Sequence, residues 1–182
     1  MRTLTRRIVL LTGLVLLLDA NVAMAAPDPV SDSATADVTV TVDEIIEWDV
    51  VVNAGNFETI ELANITNQGD APEASKSLVL YTNCNLNITA DHTAAAQLTK
   101  TTDTLVTEYK LAYDKNGTNG TGGTDVAVWT DYTTFLGAGS AVTHVTLDGA
   151  VNVTLSARAS NDAGNVADAG AYTATQTLTA TF

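Results

Sequence analysis

The sequence predicts an all-β protein, an immunoglobulin-like antiparallel β-sandwich of about seven to nine strands. Apolar and polar residues alternate with a period of two in at least six separate segments, which is typical of half-buried strands. Residues that favour turns separate these segments. Only the short stretch Ala94–Leu98 has the composition of a helical turn.

The first alternating run extends from Ala36 to Val52, and Glu44 is its one polar interruption. This pattern predicts either one long strand or two strands separated at Asp43-Glu44. The apolar residues at even positions are Ala36, Val38, Val40, Val42, Ile46, Trp48, Val50 and Val52.

A second alternating run extends from Leu78 to Ala90 and predicts one strand with a single buried face. The residues of that face are Leu78, Leu80, Thr82, Cys84, Leu86, Ile88 and Ala90. Cys84 is the only cysteine, so no intramolecular disulfide can form. Its place on the apolar face predicts a buried and unreactive thiol.

Further strands are predicted from the alternating segments that follow, at Leu105–Tyr113, Val126–Val128, Val145–Leu147, Val151–Ala159 and Tyr172–Phe182. Shorter apolar pieces lie at Phe57–Leu62. Around Asp148-Gly149 we expect a hairpin with a three-residue loop or a bulge, and the three-residue loop places Leu147 opposite Val151 and Val145 opposite Val153. In the last segment threonine alternates with mostly apolar residues, so Phe182 is expected to be packed.

The amino terminus has the composition of a secretory signal peptide. Arg2, Arg6 and Arg7 precede the apolar stretch Ile8–Leu18, and Ala23-Met24-Ala25 gives a small-x-small cleavage site. We therefore expect a signal peptide at 1–25, a flexible leader at 26–35 and a single domain at 36–182. The protein is expected to be secreted, to the cell surface or the extracellular space, with periplasmic transit in a Gram-negative host.

The charge of the chain excludes several classes of partner. Removing residues 1–25 takes away three arginines and one aspartate, so the net charge changes from −13 to −15. A chain with so few cations has no basic patch for nucleic acid or for an anionic membrane surface. No second long apolar run follows, so no membrane insertion is expected after cleavage. Solubility outside the cell, or adaptation to salt, accounts for the acidity.

Two loops carry oxygen ligands of the kind that Ca²⁺ prefers. Asp114, Asn116 and Asp125 belong to the first loop, and Asp162 and Asp168 belong to the second. The first departs from the EF-hand pattern, because it lacks the central glycine and the closing glutamate. Both loops also have ordinary turn composition, which is the preferred interpretation, so no cofactor is expected.

Other metal or catalytic sites find little support in the sequence. Cys84, His92 and His144 would be candidate copper ligands, but the only methionines lie in the signal region. Asp91-His92 has no accompanying nucleophile motif, so we do not expect an enzyme. Both histidines are expected to be ordinary surface residues.

Three features together resemble secreted bacterial pilin-type β-sandwiches, including the spore coat protein U-like group. They are the signal peptide, the leading Val-Thr strand, and the closing run Ala169-Gly170-Ala171-Tyr172…Leu178…Phe182. The chain differs from that group in having no cysteine pair. The resemblance implies a structural subunit of an extracellular fibre, pilus or coat. It also implies self-association, other surface subunits, and a chaperone and usher as partners.

The residues themselves suggest how such a subunit would associate. Ala36, Val38, Val40 and Val42 form one apolar face of a short segment that follows a flexible leader, which suits addition to a neighbour's sheet. The same segment could equally be the first strand of its own domain. The alternative function is a monomeric cell-surface module that binds carbohydrate or protein through exposed aromatic residues, the candidates being Tyr81, Trp129 and Tyr132.

Overall fold

The computed structural model describes residues 33–115 and 120–182. These residues contain eleven strands: β1 (Ile46–Trp48), β2 (Glu73–Thr82), β3 (Leu86–Ala90), β4 (Thr99–Lys100), β5 (Asp103–Thr104), β6 (Val106–Lys115), β7 (Gly122–Gly123), β8 (Val126–Asp131), β9 (Ser140–Thr143), β10 (Ala150–Ser160) and β11 (Leu178–Thr181). Two short 3₁₀-helices lie at Asn53–Gly55 and Ala94–Ala96. Eight of these strands are longer than two residues, and every pairing is antiparallel.

Nine of the strands form two sheets, with orders β1-β2-β10-β6-β8 and β11-β3-β9-β7, and β4 and β5 form a separate pair. Strand β10 lies at the centre of the larger sheet, where it pairs with β2 on one side and β6 on the other. Its side chains alternate between buried and half-buried along the whole strand. The predicted fold class, an all-β antiparallel sandwich, is confirmed.

The core contains the inward faces of both sheets. The larger sheet contributes residues such as Leu80, Leu111 and Val153, and the smaller sheet contributes Ile88 and Val142. All five are at most 1% exposed. Burial of apolar side chains such as these is the main contribution to the stability of such a domain.

The run predicted as one strand up to Ala90 is in fact two strands in different sheets. Strand β2 ends at Thr82, and β3 starts at Leu86 after a three-residue corner. The Thr82 hydroxyl donates to the Cys84 carbonyl at 2.8 Å and accepts from the Cys84 N–H at 3.2 Å. The alternation continues through this corner, so the pattern gave no sign of the break.

The predicted hairpin at Asp148-Gly149 is wrong. Strands β9 and β10 belong to different sheets, so the predicted pairs of Leu147 and Val145 with β10 do not form. Instead Asp148 N donates to Val145 O at 3.0 Å and closes a tight turn. Leu147 lies in this turn with a positive φ of 69° and is fully exposed.

The two ends of the described chain also differ from the predicted pattern. Of the alternating run from Ala36 to Val52, only Ile46–Trp48 forms a strand. At the other end β11 begins at Leu178, because the preceding segment bonds to Thr99 of β4 through Thr173 and to Ala95 through Thr175, and not to β3. Phe182 is 61% exposed, so the expectation that it packs is wrong.

The chain divides into two compact units, residues up to Thr41 and Val42–Phe182. Of the first unit, the structure describes only residues 33–41, and they contain no strand or helix. The predicted signal peptide at 1–25 lies outside the described residues, as does most of the leader at 26–35. Among the residues that are described, no helix has the length and hydropathy needed to cross a membrane.

Candidate functional site

The outer edge of β2 is only partly covered by a neighbouring strand. Strand β1 pairs with its last three residues, and Asp49 N donates to Val79 O at 2.9 Å just beyond them. On that side, Glu73–Leu78 has no strand partner within the described residues, whereas its other side is paired with β10. Six residues of an otherwise central strand are therefore open to addition.

The main chain along this edge points its hydrogen-bonding groups outward. Because Val79 O accepts a bond from the open side, and because main-chain groups alternate along a strand, Ser75 and Ser77 face the same side. No main-chain hydrogen bond from that side reaches either serine in the described part of the chain. Such unpaired groups are a template for another strand.

The segment Phe57–Leu62 lies beside this edge and contributes to a groove of about 520 Å³. Its three large apolar side chains are half-buried against the core, and the ring of Phe57 lies 5.9 Å from that of Trp48. Yet the segment is not a strand, and Glu58–Ile65 forms no main-chain hydrogen bond among the described residues. It therefore covers apolar surface without supplying a ladder of hydrogen bonds.

An ion pair joins this segment to the edge of β2. Lys76 Nζ lies 2.7 Å from Glu58 Oε2, with the two side chains 41% and 61% exposed. The hydrogen bond and the charge of Lys76 lower the pKa of Glu58. Lysine at an edge position is a common obstacle to unwanted strand pairing. At this exposure the pair itself adds little stability.

The predicted interaction residues lie in a segment that has the pattern of a strand but forms none. Val38, Val40 and Val42 are 91%, 87% and 67% exposed, and Ala36 is exposed as well. Solvated valines at alternate positions are unusual in a domain that buries the same pattern elsewhere. Whether these residues act as a strand toward a neighbour stays a prediction.

The structure does not group the predicted calcium candidates of the described residues into one site, and two of their carboxylates accept local hydrogen bonds. Asp125 Oδ1 accepts from Tyr113 N at 2.7 Å, and Asp162 Oδ1 accepts from Ala163 N at 2.8 Å. Asp114 is exposed at the end of β6, and Asn116 is not described. The main-chain N–H of Asp168 donates to Asp103. In the described ranges no three acidic, histidine or cysteine side chains are grouped to hold a metal ion.

The sulfur and imidazole groups are dispersed. Cys84 is half-buried rather than buried, because it lies in the corner between β2 and β3 instead of within a strand. Its sulfur lies 3.4 Å from Thr82 Oγ1. His92 is exposed, with Nε2 2.6 Å from the Phe135 carbonyl, and His144 is half-buried. The expectation of a buried thiol is therefore wrong.

The candidate binding aromatics are mostly committed to contacts within the domain. The ring of Trp129 stacks with Lys110 at 4.5 Å and Arg158 at 4.8 Å. The Tyr132 hydroxyl donates to a glutamine side chain at 3.1 Å. Tyr81 alone is substantially exposed, at 42%. A flat aromatic surface for sugar stacking needs rings whose faces are free.

Sequence reasoning missed the role of Phe57–Leu62 at the β2 edge. A signal was present, because Phe57, Ile60 and Leu62 do not keep a period of two and so could not all face inward from a regular strand. The open edge itself has no signature in β2, whose alternation is the same whether one side or both sides are paired.

No protein-family model matches this sequence, and no curated protein matches it significantly.

Proposed function

We propose that this chain is a secreted structural subunit of an extracellular fibre, pilus or coat, and that subunits join by β-strand addition. The observation that carries the proposal is the exposure of Val38, Val40 and Val42 within a regular strand pattern that forms no strand. Pairing with a neighbour would bury these side chains and satisfy the main chain at the same time.

The composition supports the same proposal. The leader at 26–35 is short and mostly polar, and the excess of carboxylates keeps free subunits soluble and mutually repelling. Subunits of this charge would associate only where directional main-chain bonds and apolar burial outweigh repulsion. Raised salt, which screens the carboxylates, should therefore promote assembly.

The test is assembly of purified residues 26–182, followed by electron microscopy and size-exclusion chromatography as salt and concentration rise. Val40→Asp should abolish assembly without lowering the thermal midpoint, because the side chain is already solvated in the free subunit. Val166→Asp is the matched control, since Val166 is 64% exposed in a loop, and it should assemble normally.

A wild-type chain that stays monomeric under all of these conditions would contradict the proposal. Binding of glycans or surface proteins by that monomer would then identify it as a binding module. Assembly that is unaffected by Val40→Asp would retain the fibre but reject strand addition by Ala36–Val42.

A further inference from the structure

We propose that the open edge of β2 receives Ala36–Val42 from a second copy of this chain, and that Phe57–Leu62 closes this edge in the free subunit. This rests on the proposed function, and it adds which surface of the subunit accepts the strand and which segment keeps that surface closed. It is carried by the unpaired edge, the groove beside it and the segment that lies in that groove.

The lengths of the two partners correspond. Among the described residues, Glu73–Leu78 is the part of β2 without an outer strand partner, and at roughly 3.3 Å per residue it extends for about 20 Å. Ala36–Val42 has seven residues and is long enough to pair with all of it. The outward-facing main chain at Ser75 and Ser77 would supply the first bonds of the new ladder.

The faces of the two partners correspond as well. The even positions of Ala36–Val42 are apolar, and the groove beside β2 is lined by Leu78, Leu155 and Leu178 among others. The odd positions are Asp37, Thr39 and Thr41, which would lie on the solvated face beside the two serines. An inserted strand would thus repeat the pattern that β10 already shows within the sheet.

The segment Phe57–Leu62 is suited to closing the groove and to leaving it. It places Phe57, Ile60 and Leu62 against the core but forms no ladder among the described residues, so an incoming strand would replace apolar contacts with its own and add the hydrogen bonds. The Lys76–Glu58 ion pair joins the segment to β2 at the same place and, at its exposure, is weak enough to break when the segment leaves. Closure reduces the fraction of subunits able to accept a strand, which weakens the apparent affinity by that fraction.

Other edges among the described strands fit less well. Strand β7 has two residues and β11 has four, which is too short for the whole donor segment. Strand β8 has six residues, but its pairing with β6 shifts register between Tyr109 and Leu111, which twists an edge away from further pairing.

The acceptor is tested by disulfide trapping between two tagged variants of residues 26–182, both carrying Cys84→Ser. One variant carries Thr39→Cys and the other carries Ser75→Cys or Ser77→Cys. The control partner carries Ala127→Cys, which is exposed on β8 at the opposite edge of the same sheet. At least about fivefold more cross-linked heterodimer is expected with a β2 cysteine, since opposed Cβ atoms lie ~4.5–5.5 Å apart.

The results separate this inference from the proposed function. Oligomers that form but cross-link to Ala127→Cys, or to neither edge, would overturn the β2 acceptor and leave the fibre proposal standing. Absence of any oligomer would reject the proposed function, and this inference with it.

Closure is tested with Ile60→Ala, which removes apolar contact from the closing segment. It should shorten the time to half-maximal cross-linking at Ser77→Cys by about threefold or more, because more subunits are open. Val126→Ala is the control, since Val126 is β-branched, half-buried and packed against the core as Ile60 is, but lies on β8. Equal acceleration by both variants would show general loosening, and slower cross-linking by Ile60→Ala would show that the segment promotes pairing; either result would overturn closure.

Discussion

Strand β10 and the segment Ala36–Val42 have nearly the same sequence pattern and opposite structural states. Strand β10 is paired with a neighbouring strand on both sides, and its Val151 and Val153 are completely buried. In Ala36–Val42 the alternation is equally regular, yet the segment is not a strand and its valines are exposed. A period of two therefore predicts two chemically different faces, but it does not say which strand, or which molecule, will cover the apolar one.

The largest expected effect comes from placing the same charge in both segments. Val153→Asp would bury a carboxylate at the centre of the larger sheet, which costs several kcal/mol in addition to about 1.5–3 kcal/mol of lost apolar burial. That loss is comparable to the whole free energy of unfolding of a typical domain, about 5–15 kcal/mol. Urea unfolding followed by circular dichroism should show no cooperative folded state, whereas Val40→Asp should unfold as the wild type does.

A stable and cooperative Val153→Asp variant would contradict the central place of β10. Marked destabilisation by Val40→Asp in the isolated subunit would show instead that Ala36–Val42 is the first strand of its own domain. That second result would remove the contrast between the two segments.

A smaller effect is expected from a second pair of variants, at two phenylalanines. Phe135 is completely buried and lies 5.6 Å from the ring of Tyr109, so Phe135→Ala should lower the free energy of unfolding by about 3–5 kcal/mol. Phe182 is 61% exposed, so Phe182→Ala should change it by at most about 0.5 kcal/mol. Denaturant titration of both variants would measure the difference, and a loss above about 2 kcal/mol for Phe182→Ala would show that the last residue packs after all.

The fold class could be predicted because burial selects alternation in every long strand. The segments that became β6 and β10 were placed nearly to their ends, and the helical turn at Ala94–Ala96 was also anticipated. Sheet membership could not be predicted. The corner at Asn83–Asn85 keeps the alternation intact while the chain moves from one sheet to the other, so no local signal marks it.

Of the two parts of the candidate site, only the segment Ala36–Val42 could be predicted from the sequence, and the acceptor edge of β2 could not. The alternation of Ala36–Val42 followed from its own residues, because amphipathicity is a local property, but the exposure of its apolar residues did not. The acceptor edge depends on where β1 stops along β2 and on how Phe57–Leu62 lies beside it. These are long-range arrangements, which no window of sequence contains.

The smallest effect tests how the carboxy-terminal segment is attached. The Tyr172 hydroxyl donates to the Asp103 carboxylate and to the Asp168 carbonyl, the latter at 2.8 Å. The bond from Tyr172 is the main cause of a lowered pKa at Asp103, and the Asp168 N–H adds to it. Desolvation, and next the bond to Asp103, raise the pKa of Tyr172 to about 12. The attachment thus requires a charged aspartate and a neutral phenol.

The lowered pKa of Asp103 and the raised pKa of Tyr172 determine how the stability contributed by this attachment depends on pH. A lowered aspartate pKa contributes stability that is present above its ordinary value of about 3.9 and is lost as the pH falls through the lowered value. A raised tyrosine pKa contributes stability that is present below about 10 and is lost as the pH rises through about 12. The small loss of stability caused by Tyr172→Phe should therefore be constant near neutrality and shrink at both extremes of pH.

Tyr132→Phe removes a bond to the neutral side chain of Gln97 and provides the control, because its effect should not shrink in acid. Equal acid dependence of the two variants, measured by urea unfolding between neutral pH and about pH 3, would mean that Asp103 does not hold the carboxy-terminal segment.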